Sequence, residues 1–123
     1  MTKDKLLIIL TTGPEDRGSR ATLAFSMGVS ALISGVDATI YLTMSGTFWS
    51  RAQSERTVHI GGFDPLATYV AQFIEAGGKL QVCSPCDAFF CSIAGDGAMR
   101  PGAERCGLAH IVDLALDSSV VTL

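Results

Sequence analysis

The sequence predicts an α/β fold organised on a parallel sheet, and three observations carry that prediction. Lys5 is followed by Leu-Leu-Ile-Ile-Leu and then by Thr11-Thr12. An unbroken apolar run of this length suits a strand buried on both faces. A stretch of small and apolar residues at helical spacing and a second strand come next, and the order strand, helix, strand implies a right-handed βαβ unit. Hydrophobic residues make up 48% and charged residues 17% of the 123. A sheet covered on both faces needs that excess, and so does a buried subunit interface.

The first strand covers Lys5 to Thr12. Thr11 to Gly18 is a turn whose glycines have neither P-loop nor dinucleotide-binding spacing. If the turn binds anything, Arg17 or Arg20 is the residue to meet an anion at the sheet edge. Ser19 is the expected cap of a helix running to about Ser34, with Ala21, Leu23, Ala24, Met27, Gly28, Ala31 and Leu32 on a broad apolar face. Gly35 stops it, and Val36 to Thr43 is the second strand.

Met44 to Phe63 is the least regular part, with a short helix expected over Thr47 to Gln53. A connection this long marks a functional, interfacial or mobile segment. It holds Phe48, Trp49, Arg51, Arg56 and His59. Trp49 suits core packing or a buried oligomer contact, and with Phe48 it is expected to supply part of a subunit contact. His59 suits a surface loop better than a base or a ligand. Asp64 or Pro65 opens a helix to about Ala76, and Gly77-Gly78 ends it.

The sequence then reaches the stretch where chemistry is expected. Lys79 to Val82 alternates as a short strand. Ser84 is placed to cap a new helix and Pro85 suits its first position. Cys83 therefore lies where a strand stops, and Cys86 in the first turn of a helix. Free N–H groups and the helix dipole at such a point favour a thiolate, the reactive form of sulfur. Ligands of open α/β sheets also gather at the carboxyl ends of strands. The helix is expected to end near Ile93, before Gly95-Asp96-Gly97, and Arg100-Pro101-Gly102 is a further turn. Glu104 to Gly107 reads as a short strand carrying Cys106. Leu108 to Leu116 makes a final amphipathic helix, with His110 structural or solvent-facing, and Val120 to Leu123 a last strand.

Composition excludes several classes. The net charge is −3 and no basic run exists, so nucleic acid is not an expected partner. Leu6 to Leu10 is too short for a signal core or a membrane span, so a cytoplasmic protein without membrane partners is expected. In that compartment four cysteines point to free thiols, metal binding or redox chemistry rather than a disulfide framework. No hydrolase site is visible: Gly-x-Ser-x-Gly is absent, and Asp87 and Asp96 have no evident base beside them. Residues 1–123 are expected to form one domain.

The whole order resembles the DsrE/DsrF-like family of small sulfur-relay proteins. The residues that carry the resemblance are the strand ending Thr-Thr-Gly, the small-residue helix and the strand ending Tyr-Leu-Thr. The long loop, Glu75-Ala76-Gly77-Gly78, Val82-Cys83, Pro101-Gly102-Ala103-Glu104 and Val112-Asp113-Leu114-Ala115-Leu116 complete the set. The resemblance implies a three-layer α/β/α sandwich with a five-stranded mainly parallel sheet. It also implies a homo-oligomer, trimeric or hexameric, and a persulfide on the cysteine after the third strand, by position Cys83. Two features depart from the relay members. Phe89-Phe90-Cys91 stands where they continue with an Arg-Gly pair, and Cys86 is an additional thiol.

Cys83 and Cys86 are thus the candidate catalytic residues, with no cofactor and no metal expected. As a carrier, Cys83 accepts sulfane sulfur from a donor protein and passes it to an acceptor. As a dithiol redox protein, Cys83-Ser84-Pro85-Cys86 closes a reversible disulfide. A metal site of Cys83, Cys86, Cys91 and Cys106 is a further alternative, weakened by the lack of a second close pair. So is a non-catalytic oligomeric binding protein whose cysteines are small buried residues. For Cys91 and Cys106 taken singly, packing is the expected role.

Overall fold

The computed structural model describes residues 4–91 and 98–123. The predicted helix end near Ile93 and the Gly95-Asp96-Gly97 turn lie outside them. Five strands form one sheet: β1 (Lys5–Leu10), β2 (Asp37–Leu42), β3 (Lys79–Cys83), β4 (Ala103–Cys106) and β5 (Ser119–Thr122). Their order is β4-β3-β2-β1-β5, and every pairing is parallel. Helices α1 (Ser19–Ile33) and α2 (Leu66–Glu75) follow β1 and β2, and α4 (Leu108–Leu116) follows β4. Among the described residues, the connection leaving β3 starts with a single helical turn, α3 (Ser84–Cys86), which passes into a π-turn at Asp87–Cys91.

The layers follow from the connections. From β1 to β3 the chain moves one way across the sheet, and from β4 to β5 it returns. A right-handed crossover puts its helix on opposite faces for these two directions. Accordingly α1 and α2 share one face and α4 covers the other, giving the three-layer α/β/α arrangement. Strand alternation sorts the residues. Ile8, Leu10, Ile40, Leu42, Leu80 and Val82 face α1 and α2, where Phe25 and Phe73 meet edge to face at 5.7 Å. Gly28 lets the two helices approach, since a Cβ there would lie 2.7 Å from the Phe73 ring. Leu7, Tyr41 and Cys83 face α4, which answers with Ile111, Leu114 and Ala115. No helix among the described residues is long and apolar enough to cross a membrane.

Three expectations are corrected. Ser19 does not cap α1. The cap position is Gly18, at φ 89°, and the Asp16 carboxylate accepts from the Gly18 and Arg20 N–H groups at 3.1 and 2.9 Å. The short helix of the long loop is a 3-10 stretch at Met44–Ser50, earlier than expected. Trp49 is buried within the chain, donating from Nε1 to the Thr12 carbonyl at 2.9 Å and meeting Phe48 edge to face. It belongs to the core of the chain rather than to a subunit contact.

The long loop is held by a residue read in the sequence only as part of a turn. Arg100 is 8% exposed. It donates from Nε to the Trp49 carbonyl at 3.0 Å, and from Nη2 to the Arg51 carbonyl at 2.9 Å and to Glu55 at 2.6 Å. Burial alone would raise the Glu55 carboxyl, but the Arg100 hydrogen bonds outweigh it and hold the group below its ordinary value. A lowered folded value means that the pair's contribution is complete above the unfolded carboxyl pKa and is lost as pH falls through the folded one. Arg100→Met leaves Glu55 with no opposite charge. We expect a loss of about 3–5 kcal/mol at neutral pH. The deficit shrinks as pH falls through the lowered folded value, where Glu55 takes up its proton. Urea unfolding of both chains across that range measures it.

Candidate functional site

The carboxyl ends of β2, β3 and β4 bring three free thiols together: Cys83, Cys86 and Cys106. Register does most of this. Cys83 pairs with Cys106 and Gln81 with Tyr41, so alternation sends all four toward the α4 face. Val82, one residue earlier, packs into the opposite core. Cys86 returns over the site from α3, its sulfur 3.4 Å from the Thr43 hydroxyl and 3.9 Å from the Met44 thioether. The Cys106 thiol donates weakly to Gln81 Oε1 at 3.8 Å. The sequence offered Cys83 and Cys86 as a pair and Cys106 as packing; the structure adds Cys106, and Tyr41 with it. Parallel pairing of β3 with β4 is the signal that could have found Cys106, but no spacing within the chain encodes it.

The thiols are not equivalent. Cys83 is 2% exposed. Burial opposes its ionisation, but the Tyr41 hydroxyl, the Cys86 thiol, the Cys86 backbone N–H and the Thr43 hydroxyl all favour the charged form. The thiol ends below its ordinary value. Cys106 goes the other way, raised by burial and then by the negative charge of Cys83 and Glu104. The sequence points to a capped helix N-terminus as the source of the Cys83 shift, and the structure replaces it. The helical turn is three residues long, and Ser84 makes no cap bond but donates to the Cys106 carbonyl at 3.4 Å. A turn so short sums few peptide dipoles, and the nearby donors act in their place.

Asp87 fixes the turn that carries Cys86. It is buried, and takes Arg51 Nη2 at 2.8 Å and Arg105 Nε at 2.7 Å. The other candidates lie apart. Arg20 pairs with Asp16 at 3.3 Å, and Arg17 is exposed at φ 63°. His59 is exposed with Nε2 2.9 Å from the Phe63 carbonyl, and His110 is exposed on α4. Among the described residues, no group of three or more His, Cys, Asp and Glu side chains is placed to hold a metal ion. The Cys91 side chain and Asp96 lie outside the description. A groove of about 1210 Å³, lined by Lys5, Ser26, Ser30, Phe63, Leu116 and Ser119, opens where β1 begins, at the far end from the thiols.

Solved structures that share this fold include two bacterial proteins. The ychN protein from E. coli superposes with a TM-score of 0.75 at 14% identity, over 98% of this chain and 99% of that one. A conserved protein of unknown function from Bacteroides thetaiotaomicron superposes with a TM-score of 0.58 at 15% identity, over 98% and 95%. Identities this low speak for the fold alone. No curated protein matches the sequence. The DsrE/DsrF-like family profile matches residues 4–123. With that match over nearly its whole length, and a five-stranded parallel sheet between two helical layers, the chain belongs to the DsrE/DsrF-like family.

Proposed function

We propose that the protein is a cytoplasmic sulfur carrier that holds sulfane sulfur as a persulfide on Cys83. The observation that carries this reading is the contrast at the strand ends. In a DsrE/DsrF-like chain, the thiol closing β3 is the one whose charged form the site favours, while its neighbour Cys106 is held protonated. The Cys83 thiolate attacks the outer sulfur of a donor persulfide. The new bond is Cys83 S–S, the donor's S–S bond breaks, and the donor leaves as a thiolate. An acceptor thiolate repeats the step on the Cys83 persulfide, so no net oxidant is consumed.

Cys86 supports a second reading. It lies against the Cys83 sulfur, so the pair can instead close a disulfide, releasing two electrons and two protons to an oxidised dithiol partner. The two readings differ in what Cys86 is for. Incubated with a sulfane-sulfur donor, the carrier gains the mass of one sulfur atom and loses it to reductant. Cys83→Ser abolishes that gain and Cys86→Ser retains it. Loss of two hydrogens on mild oxidation, abolished by either change, identifies the dithiol protein instead and sinks the carrier.

We further propose that the carrier works as a homo-oligomer, a trimer or hexamer. Support comes from α4, which covers its sheet face with Ile111 while leaving Leu108, Val112 and Leu116 exposed at successive four-residue steps, Leu116 at 83%. That spacing makes one apolar stripe on the outer side of a helix. Leu116→Glu is expected to lower the solution mass at micromolar concentration without altering thermal stability of the fold. A wild-type mass equal to one chain rejects the assembly.

A further inference from the structure

Tyr41 stands out among the polar groups of the site because it is buried with an unsatisfied hydroxyl. It is 3% exposed, and its hydroxyl has no hydrogen-bond partner among the described residues. Buried polar atoms are nearly always satisfied, and an orphan costs free energy that a phenylalanine in the same place would avoid. The phenol reaches the Cys83 sulfur from β2. It meets no aligned acceptor there in the described structure. A neutral thiol is a poor acceptor and a sulfur anion a strong one. The orphaned donor is therefore matched to a charged sulfur rather than to a neutral thiol.

We propose that Tyr41 is a catalytic residue whose hydroxyl donates a hydrogen bond to the negatively charged sulfur at Cys83, both the thiolate and the outer sulfur of its persulfide. The phenol suits that task. Burial first, and then the Cys83 charge, raise Tyr41 well above its ordinary value, so it stays a protonated donor while the sulfur carries the charge. Among the described residues, the other groups facing Cys83 are few. Thr43 and Cys86 face it from the turns, Cys106 from β4 with Glu104 beside it, and α4 contributes only Ile111, Leu114 and Ala115. Asp87 is occupied by its two arginines. Of the donors, Tyr41 is the one fixed by strand register rather than by a turn.

The persulfide half of this inference rests on the carrier reading; the thiolate half does not. The test is the pH profile of Cys83 alkylation by a small reagent, resolved by site with mass spectrometry, in the full chain and in Tyr41→Phe. Loss of the donor moves the Cys83 midpoint up by on the order of one pH unit, about tenfold less thiolate well below the midpoint. The melting temperature of the variant stays equal or rises, because the change removes an unpartnered hydroxyl and keeps the ring. An unmoved midpoint overturns the proposal, and so does a fall in melting temperature with the profile unchanged, which marks a packing role. Resonance Raman of Tyr41 in a Tyr69→Phe chain gives an independent check that needs no Tyr41 variant. The tyrosine bands shift toward the strong-donor pattern as Cys83 ionises, and flat bands overturn the assignment. Failure of persulfide loading with the pH shift present rejects the carrier and leaves the Tyr41 assignment standing.

Discussion

The arrangement of the thiols depends on one buried carboxylate. Asp87 follows Cys86 directly and is gripped from two sides, by Arg51 of the segment after β2 and by Arg105 of β4. A buried ion pair adds little net stability by itself, since desolvation offsets most of the attraction. What the two guanidiniums supply is direction. They tie the turn leaving β3 to the strands on both its flanks, β2 through its following loop and β4 through Arg105 itself. Cys86 then has one place to go, against Thr43 and beside Cys83. Arg51 is in turn placed by Arg100, which accepts no freedom in the long loop because it bonds the carbonyls of Trp49 and Arg51. The apparently irregular segment is thus a rigid wall of the site.

Two effects compete at Cys83, and their balance explains why the sulfur sits where it does. Burial disfavours a charged sulfur, as it visibly does at Cys106. The same burial raises the value of every hydrogen bond the charge can accept, because the local dielectric is low. Cys83 has donors from β2, from the following turn and from the Cys86 backbone, whereas Cys106 has a carboxylate as neighbour. Two cysteines in register on adjacent strands therefore diverge in chemistry through what surrounds them. Depression of a thiol is not by itself reactivity, since a weaker base is also a weaker nucleophile.

Much of the fold was legible because parallel strands announce themselves. The run from Leu6 to Leu10 and the glycine stops at Gly35 and Gly77 carry local signals that the long-range packing then honours. The position of Cys83 at a strand end was readable for the same reason. What surrounds it was not. Tyr41 lies 42 residues earlier in the chain, and Cys106 and Arg105 more than 20 later. They meet Cys83 and Asp87 only through register across three strands and an ion pair, neither of which leaves a spacing in the sequence. The capping errors have a local cause: Ser19 and Ser84 have the right chemistry for a cap, but Asp16 reaches the first N–H groups of α1, and α3 ends before its cap matters.

A nearly inaccessible Cys83 is hard to reconcile with sulfur exchange unless the cover moves more easily than the frame. The neighbours fit that division. The frame is strand backbone, fixed by pairing on both sides of β3. The cover is soft and polarisable: the Cys86 thiol beside Cys83, backed by the Met44 thioether with its sulfur 3.9 Å from that of Cys86. Methionine has three rotatable bonds and rearranges at little cost. Met44 is also half exposed, and its backbone is at φ 51°, a conformation that non-glycine residues adopt only when their surroundings impose it. Gly46 contributes to that constraint, since its backbone lies so close to the Leu10 carbonyl that a side chain has no room. The backbone of the cover is therefore pinned while the half-exposed Met44 side chain is free to turn. Exposed side chains change rotamer in picoseconds to nanoseconds, so moving Met44 off Cys86 requires no separation of strands and leaves the donors around the Cys83 sulfur in place.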